Sequence, residues 1–169
     1  VEMVDGGCGP IPVFAILAAL KSDKVQVVCI ELNPASALMA EKIIANLGLS
    51  SRIKVLCGDA TTYKHPENID LFISETMYSG LVEEPQAQIF ENFRDQVSED
   101  GIMIPEWVSV EAGLIKDDEV GRQLVTTAFH PRDKVRYAKF VTEPVEVARL
   151  VRGEVLNVID VVLPVDGIE

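Results

Sequence analysis

The first twelve residues, VEMVDGGCGPIP, constrain the fold most, because they read as an apolar strand followed by a glycine turn and then a helix. Gly7 and Gly9 allow a tight reversal and let the backbone approach a ligand, and Pro10 or Pro12 suits the first turn of a helix. Asp5 places a carboxylate at the carboxyl end of the strand, which is the ligand-binding edge of open α/β sheets. The segment therefore predicts a ligand-binding loop that suits a cationic group and repels a pyrophosphate.

Three further strand-like runs follow, and each of them also ends at an acidic residue. VQVVCI ends at Glu31, IKVLC is followed closely by Asp59, and DLFIS runs into Glu75. A carboxylate at the tip of the second strand can accept both hydroxyls of a ribose. The repeated pattern of strand and acid predicts a ligand site along one edge of a sheet.

The segments between these strands read as helices. Residues 11–20 are apolar on nearly every face, which predicts a helix buried against a sheet, and Asn33 caps a second helix that closes near Gly48. Residues 85–97 predict an amphipathic third helix, and GIMIPEWVSV predicts a fifth strand. This alternation predicts a doubly wound, mostly parallel α/β sheet.

Composition limits the partners of the chain. The 169 residues are 48% hydrophobic and carry a formal net charge of −12, so the chain can bury a core but has no basic footprint for nucleic acid or an anionic membrane. Cys8, Cys29 and Cys57 show no CxxC spacing, which predicts neither a metal site nor a disulfide framework and favours a reducing, cytoplasmic location. The chain begins at Val1 inside a strand, so we expect an excerpt of a longer protein that lacks an N-terminal lid.

The glycine turn departs from the dinucleotide-binding pattern GxGxxG, because Pro12 stands where the third glycine would be. The order acid, any residue, Gly, any residue, Gly instead resembles motif I of the class I S-adenosylmethionine-dependent methyltransferases, in which a third glycine usually occupies the position of Ile11. This resemblance implies a Rossmann-like methyltransferase sheet with S-adenosyl-L-methionine as its cofactor.

The segment after the fourth strand resembles the protein arginine methyltransferases, which carry there a loop of the form Ser-Glu-x-Met, then Leu, then a second Glu. This sequence has Ser74, Glu75, Met77, Leu81 and Glu84, with the two carboxylates nine positions apart as in the double-Glu hairpin of that family. The resemblance extends over about residues 1–115.

The resemblance implies a role for each candidate residue. Two opposed carboxylates can hold a guanidinium, whose rigid fork of N–H donors pairs with both of them. The implied catalytic residues are Glu75 and Glu84, and the implied cofactor-binding residues are Asp5, Gly7, Gly9, Glu31, Asp59 and Ala60, with Asp59 and Ala60 at the adenine. The implied acceptor is an arginine-containing protein, and the family pattern is compatible with a homodimer.

Other functions stay open at this stage. Thr76 replaces the family's aromatic residue after the first Glu, and Glu84 could instead favour the dipole of a helix that starts near Pro85, so a small molecule or a non-arginine side chain is an alternative acceptor. An NAD-dependent oxidoreductase and a non-catalytic nucleotide-binding domain are alternatives from other classes.

The domain prediction divides the chain into residues 1–115 and 116–169. The first part is the predicted S-adenosylmethionine-binding methyltransferase domain, and the second is the start of a β-rich C-terminal region for substrate binding or dimerisation. Within the second part, residues 117–129 predict a helix, and residues 134–141 and 155–163 predict strands.

Overall fold

The computed structural model describes residues 1–77, 85–112, 145–151 and 154–157. Its main feature is a five-stranded parallel sheet in the order β3-β2-β1-β4-β5. The strands are β1 (Glu2–Gly6), β2 (Gln26–Glu31), β3 (Ile53–Cys57), β4 (Ile69–Ile73) and β5 (Val97–Ile104), and the helices are α1 (Val13–Lys21), α2 (Pro34–Asn46) and α3 (Gln86–Arg94). The predicted doubly wound α/β sheet is therefore confirmed.

The helices cover both faces of this sheet, which explains why its central strands are rich in apolar residues. On one face, α1 contributes Ala15 and Ala19 to a core cluster, and α2 contributes Ile44. On the other face, α3 packs its phenylalanines against Phe72 of β4, with a stacked pair to Phe93 at 4.2 Å between ring centroids. The carboxyl ends of β1 and β4 therefore lie between helices that pack on the two faces of the sheet.

The prediction for α1 was wrong about its burial. Only Ala15 and Ala19 are buried in this helix, whereas Phe14, Leu17 and Leu20 are exposed. A helix that packs on a sheet through one face buries only the stripe that meets the sheet. Ala15 and Ala19 form that stripe with the partly buried Ile16 beside them, and Phe14, Leu17 and Leu20 lie outside it.

The second helix follows its prediction closely. The Asn33 side chain caps α2 by accepting hydrogen bonds from the backbone N–H groups of Ala35 and Ser36, at 2.9 and 3.3 Å. Gly48 follows the helix with a φ of +69°, a conformation that favours glycine after a helix end.

The boundary between α3 and β5 differs from the prediction. The predicted helix extends to residue 97, but α3 ends at Arg94 and Val97 already pairs with Ile69 of β4. The ladder between these strands is irregular, because its register shifts between Ile69 and Leu71. Gly101 fits here because a Cβ atom would lie 2.5 Å from the Val97 side chain.

The predicted fifth strand GIMIPEWVSV is divided between two sheets. Its first part belongs to β5, and residues after Pro105 form β6 (Trp107–Ala112). Proline has no N–H to continue a strand ladder, which is consistent with a break at this position. β6 pairs antiparallel with β7 (Val145–Val151), and β7 pairs with β8 (Glu154–Asn157).

The C-terminal predictions are only partly covered by the described residues. β8 overlaps the strand predicted at residues 155–163, while the predicted helix at 117–129, the strand at 134–141 and positions 158–163 lie outside those residues. The division into domains at residue 115 stays a prediction. No helix in the described ranges is both long and apolar enough to cross a membrane.

Candidate active site

Four of the predicted site segments meet at one edge of the parallel sheet. Because β1 to β4 are parallel, the residues that follow each strand lie at the same edge. The strand order reverses direction between β1 and β4, and the crevice at such a switch point is where open α/β sheets bind ligands. The glycine loop follows β1 on one side of this point, and Glu75 follows β4 on the other.

The glycine loop needs its glycines for two physical reasons. Gly7 and Gly9 have φ angles of 80° and 69°, which residues with a Cβ atom rarely adopt. A Cβ atom on Gly7 would also lie 2.5 Å from the Cγ2 atom of Thr76, so the loop after β1 and the segment after β4 are in close contact. The backbone N–H groups of Gly7 and Cys8 both donate to the Ile30 carbonyl, at 2.8 and 3.1 Å.

The absence of a third glycine does not obstruct this loop. Ile11 occupies the family's third glycine position, and 58% of its surface is exposed. Pro12 is buried and stands immediately before α1 as its N-cap residue. The side chain at position 11 therefore faces away from the packed core.

Glu31 links the end of β2 to the glycine loop. Its Oε2 atom accepts a hydrogen bond from the Gly9 backbone N–H at 2.9 Å, and its Oε1 atom accepts one from the Asn33 backbone N–H at 2.8 Å. A carboxylate has further acceptor capacity on both oxygens, so these bonds leave room for ribose hydroxyl donors. Sequence reasoning predicted the ribose contact but missed this bracing of the loop.

Asp59 and Ala60 follow β3 at the same edge. Asp59 is exposed, and its Oδ1 atom accepts hydrogen bonds from the Thr61 N–H at 2.8 Å and the Thr61 hydroxyl at 2.7 Å. These two bonds lower the pKa of Asp59, so it is ionised at neutral pH. Ala60 is buried in the core cluster beneath α3, and its carbonyl accepts from Asn92 at 2.9 Å.

Asp5 is buried rather than open at the strand end. Only 2% of its surface is exposed, and its Oδ2 atom has no hydrogen-bond partner among the described residues. Burial raises the pKa of Asp5 to about 7, a hydrogen bond from the Ala15 backbone lowers it, and the charge of Glu31 raises it further. A cation bound beside this edge would favour the ionised form of Asp5.

The buried Asp5 carboxyl predicts a pH-dependent stability. Because its folded pKa of about 7 lies above the ordinary 3.8, the folded protein holds this proton more tightly than the unfolded chain. The free energy of unfolding should fall by up to roughly 4 kcal/mol as the pH rises from about 4 to about 7, and should level off above that. Urea titrations between pH 4 and 8 should show this slope, and Asp5→Asn should remove it. The exposed Asp23→Asn variant serves as the control, and an unchanged slope in Asp5→Asn would contradict the assignment.

Glu75 is exposed, but the residues on both sides of it are held by hydrogen bonds to buried groups. Its neighbour Ser74 is buried and donates from its hydroxyl to the Gly6 carbonyl at 2.6 Å. On the other side, Thr76 donates from its N–H and from its hydroxyl to Oε1 of Gln86, at 2.8 and 2.7 Å. Sequence reasoning did not identify Gln86, because its hydrogen bonds to Thr76 span ten positions of the chain.

The second predicted carboxylate, Glu84, lies outside the described residues, so its proposed pairing with Glu75 stays a prediction. The described segment after β4 ends at Met77 and resumes at Pro85. Within the described ranges, no cluster of three or more His, Cys, Asp or Glu side chains could hold a metal ion. The candidate site is therefore built from carboxylates, glycine backbone and one buried amide.

Solved structures of methyltransferases share this fold. The chain is similar to the Trypanosoma brucei PRMT1 enzyme–prozyme heterotetrameric complex with AdoHcy, with a TM-score of 0.69, 18% identity, and coverage of 90% of this chain and 53% of that one. It is also similar to protein arginine methyltransferase 10 of Arabidopsis thaliana, with a TM-score of 0.62, 24% identity, and coverage of 69% and 33%. At these identities the similarity shows the fold, which is the predicted Rossmann-like methyltransferase sheet.

A curated relative and a family model extend the comparison to sequence. The chain is 34% identical over 95 residues to the uncharacterized protein MJ1452 of Methanocaldococcus jannaschii, which covers 55% of this chain and 36% of that protein. It therefore spans about a third of the length of this relative. The model described as PRMT5 arginine-N-methyltransferase matches residues 1–104, from β1 through the end of β5. Because that match covers more than half of this chain, the chain belongs to the PRMT5 arginine-N-methyltransferase family.

Proposed function

We propose that this chain binds S-adenosyl-L-methionine and directs the transfer of its methyl group to the guanidinium of an arginyl side chain. Membership of a methyltransferase family and the Rossmann-like sheet support the reaction class. The double-Glu spacing of Glu75 and Glu84 supports the arginyl acceptor.

One observation carries this proposal: the candidate cofactor loop and the candidate acceptor loop touch at the switch point of the sheet. Thr76, next to Glu75, lies so close to Gly7 that the loop tolerates no Cβ atom there. A methyl transfer by in-line displacement needs its two reactants at roughly 3 to 3.5 Å, so the two binding sites must adjoin. Because β1 and β4 are paired neighbours, the segments that follow them can bind the cofactor and the acceptor side by side.

The residues on the cofactor side fit S-adenosyl-L-methionine. Glu31 offers both carboxylate oxygens to the ribose hydroxyls, and Asp59 can accept a hydrogen bond from the adenine amino group beside the Ala60 backbone. Gly7 and Gly9 keep the loop free of side chains where the ligand approaches. When bound, the cofactor supplies a methyl group on a positively charged sulfur, which suits an edge lined by acids.

On the acceptor side, the chain's contribution is to orient the guanidinium of the acceptor. A guanidinium can pair with two carboxylates while it stays charged, which leaves one nitrogen directed toward the methyl group. Positioning of this kind contributes more to an in-line displacement than a strong base would. We assign this role to Glu75 and Glu84.

Parallel calorimetric titrations of the full-length protein with S-adenosylhomocysteine and with NAD test the proposal. We expect binding of S-adenosylhomocysteine and none of NAD. Binding of NAD alone would favour an oxidoreductase, and binding of neither would favour a non-catalytic domain. The acceptor class is decided separately by following a labelled methyl group into Arg-rich peptides or into small molecules.

The adenine contact gives a smaller, separate prediction. Asp59→Asn should weaken S-adenosylhomocysteine binding by less than about tenfold in Kd, because an amide oxygen still accepts from the adenine amino group but without charge. Calorimetry on the folded variant measures this loss, with the exposed Asp100→Asn on β5 as the control. Equal affinities for Asp59→Asn and the unsubstituted protein would place the adenine elsewhere.

Two expectations about the whole protein stay predictions, namely its assembly into a homodimer and its cytoplasmic location. The Trypanosoma brucei neighbour is itself a heterotetrameric complex. Sedimentation of the full-length protein would determine its assembly state.

A further inference from the structure

The side chain of Gln86 is a buried polar group that the proposed mechanism does not yet use. It lies in the first turn of α3 and has no exposed surface. Its Oε1 atom accepts both hydrogen bonds from Thr76, and its Nε2 atom donates to the Ser74 carbonyl at 3.1 Å. The amide therefore uses both its acceptor and its donor end.

These partners stand immediately before and after Glu75 in the chain. The Gln86 amide is thus hydrogen-bonded to the residues on both sides of Glu75, which is the residue that we assign to the acceptor. We call this arrangement of Ser74, Thr76 and Gln86 the bracket. Glu75 itself is exposed, so this bracket fixes its backbone and leaves its side chain available to a ligand. A carboxylate on an exposed strand end would otherwise sample many orientations.

The same amide also ties the segment to its surroundings. Gln86 is the first residue of α3, two positions after Glu84 in the sequence. Its hydrogen bond to the Ser74 carbonyl joins the start of α3 to the end of β4. On the far side, Ser74 bonds to the Gly6 carbonyl and Thr76 contacts Gly7. The bracket is therefore continuous with the glycine loop.

We propose that Gln86 is a positioning residue, which holds Glu75 in register with the cofactor loop. This inference rests on the proposed methyl transfer for its catalytic consequence. An amide suits the position because it offers an acceptor to Thr76 and a donor to Ser74. Methionine would remove the acceptor of the Thr76 N–H and the donor to the buried Ser74 carbonyl, and an ionised Glu would direct an anion at that carbonyl oxygen.

Gln96 offers a matched control at the opposite end of β4. Its side chain also makes three hydrogen bonds, accepting from the His65 N–H at 2.8 Å and donating to the carbonyls of Tyr63 and Asn92 at 3.2 and 2.7 Å. The Gln96 carbonyl pairs with the N–H of Ile69, the first residue of β4. Loss of the Gln96 amide therefore has a similar structural cost without touching Glu75.

The first experiment compares Gln86→Met and Gln96→Met in the full-length protein. In Gln86→Met we expect kcat with a labelled cofactor and an Arg-rich peptide to fall about 10- to 100-fold, with S-adenosylhomocysteine affinity within about twofold. Gln96→Met should lower the unfolding temperature comparably while kcat per folded molecule stays near that of the unsubstituted protein. Equal kcat values in the two variants would overturn the positioning role.

A second variant keeps the test valid if Gln86→Met fails to fold. A protonated Glu has the shape of Gln, with a carbonyl that accepts and an O–H that donates. The kcat of Gln86→Glu, divided by that of the unsubstituted protein at each pH, should therefore rise as the pH falls. Dividing by the kcat of the unsubstituted protein removes the pH effects that both proteins share, including the titration of the buried Asp5. A ratio independent of pH would contradict the proposal.

Amide hydrogen exchange tests whether Gln86 holds the Thr76 backbone, and it does so without an activity assay. The Thr76 amide should exchange at least about tenfold faster in Gln86→Met than in Gln96→Met, because it loses its buried acceptor. If the unsubstituted protein transfers no methyl group, the proposed function fails while this measurement still tests the bracket. An unchanged Thr76 exchange rate in an active enzyme would overturn the Gln86 inference alone.

Discussion

Glu31→Ala is expected to weaken S-adenosylhomocysteine binding by roughly 2 to 3 kcal/mol, or about 30- to 150-fold in Kd, in a protein that stays folded. Two losses contribute to this effect. The variant lacks the acceptors for both ribose hydroxyls, and it also lacks the acceptor that holds the Gly9 N–H at 2.9 Å. The loop that should contact the ligand is then less ordered before binding. Isothermal calorimetry measures the affinity, and thermal unfolding verifies the fold.

Glu31→Gln separates these two contributions. Its amide oxygen can accept from either Gly9 or Asn33 but not from both, because its nitrogen is a donor. We expect an affinity between those of the unsubstituted protein and Glu31→Ala. Glu41→Ala on the exposed face of α2 is the control for the loss of one negative charge. An affinity unchanged in Glu31→Ala would show that the end of β2 does not bind the ribose.

The strand ends could be predicted from sequence because their signals are local. Short apolar runs with an acid at or just after their ends identified β1 to β4 within about one residue, and their parallel pairing places Glu31, Asp59 and Glu75 at one edge. The Asn33 cap and Gly48 were equally local, since each acts on the backbone within a few residues. Patterns that extend over only a few residues are therefore sufficient to predict a sheet covered by helices.

The parts that could not be predicted depend on contacts between distant segments. Asp5 was expected at an open strand end, but the start of α1 covers it, with the Ala15 backbone as one partner. The apolar composition of α1 did not reveal which stripe meets the sheet. Gln86 reads as an ordinary helical residue until α3 packs beside the end of β4. In each case the packing of elements, rather than the local pattern, determines the environment of the side chain.

The largest expected effect concerns the acceptor site. If a guanidinium lies between the two carboxylates, Glu75→Gln and Glu84→Gln should each reduce turnover by two or more orders of magnitude while S-adenosylhomocysteine affinity stays nearly unchanged, because both losses act on the orientation of the acceptor. In the structure, the neighbours of Glu75 on both sides are held by hydrogen bonds beside the glycine loop, whereas Glu84 lies outside the described residues, so both roles stay predictions. Rates come from single-turnover assays of the full-length protein with labelled cofactor and Arg-rich peptides.

A methyltransferase for a small molecule makes a different prediction at the second position. Glu75→Gln would still impair turnover, whereas Glu84→Gln, which stands near the start of α3, would change stability by a few tenths to about 1 kcal/mol and leave activity nearly intact. Glu91→Gln on the exposed face of α3 controls for the loss of a charge in this region. A metabolite extract assayed beside the Arg-rich peptides shows where the label goes. Label found only in small molecules, with Glu84→Gln fully active, would exclude the arginyl acceptor and leave the methyltransferase family in place, because the roles proposed for Glu31 and the glycine loop do not depend on which acceptor is used.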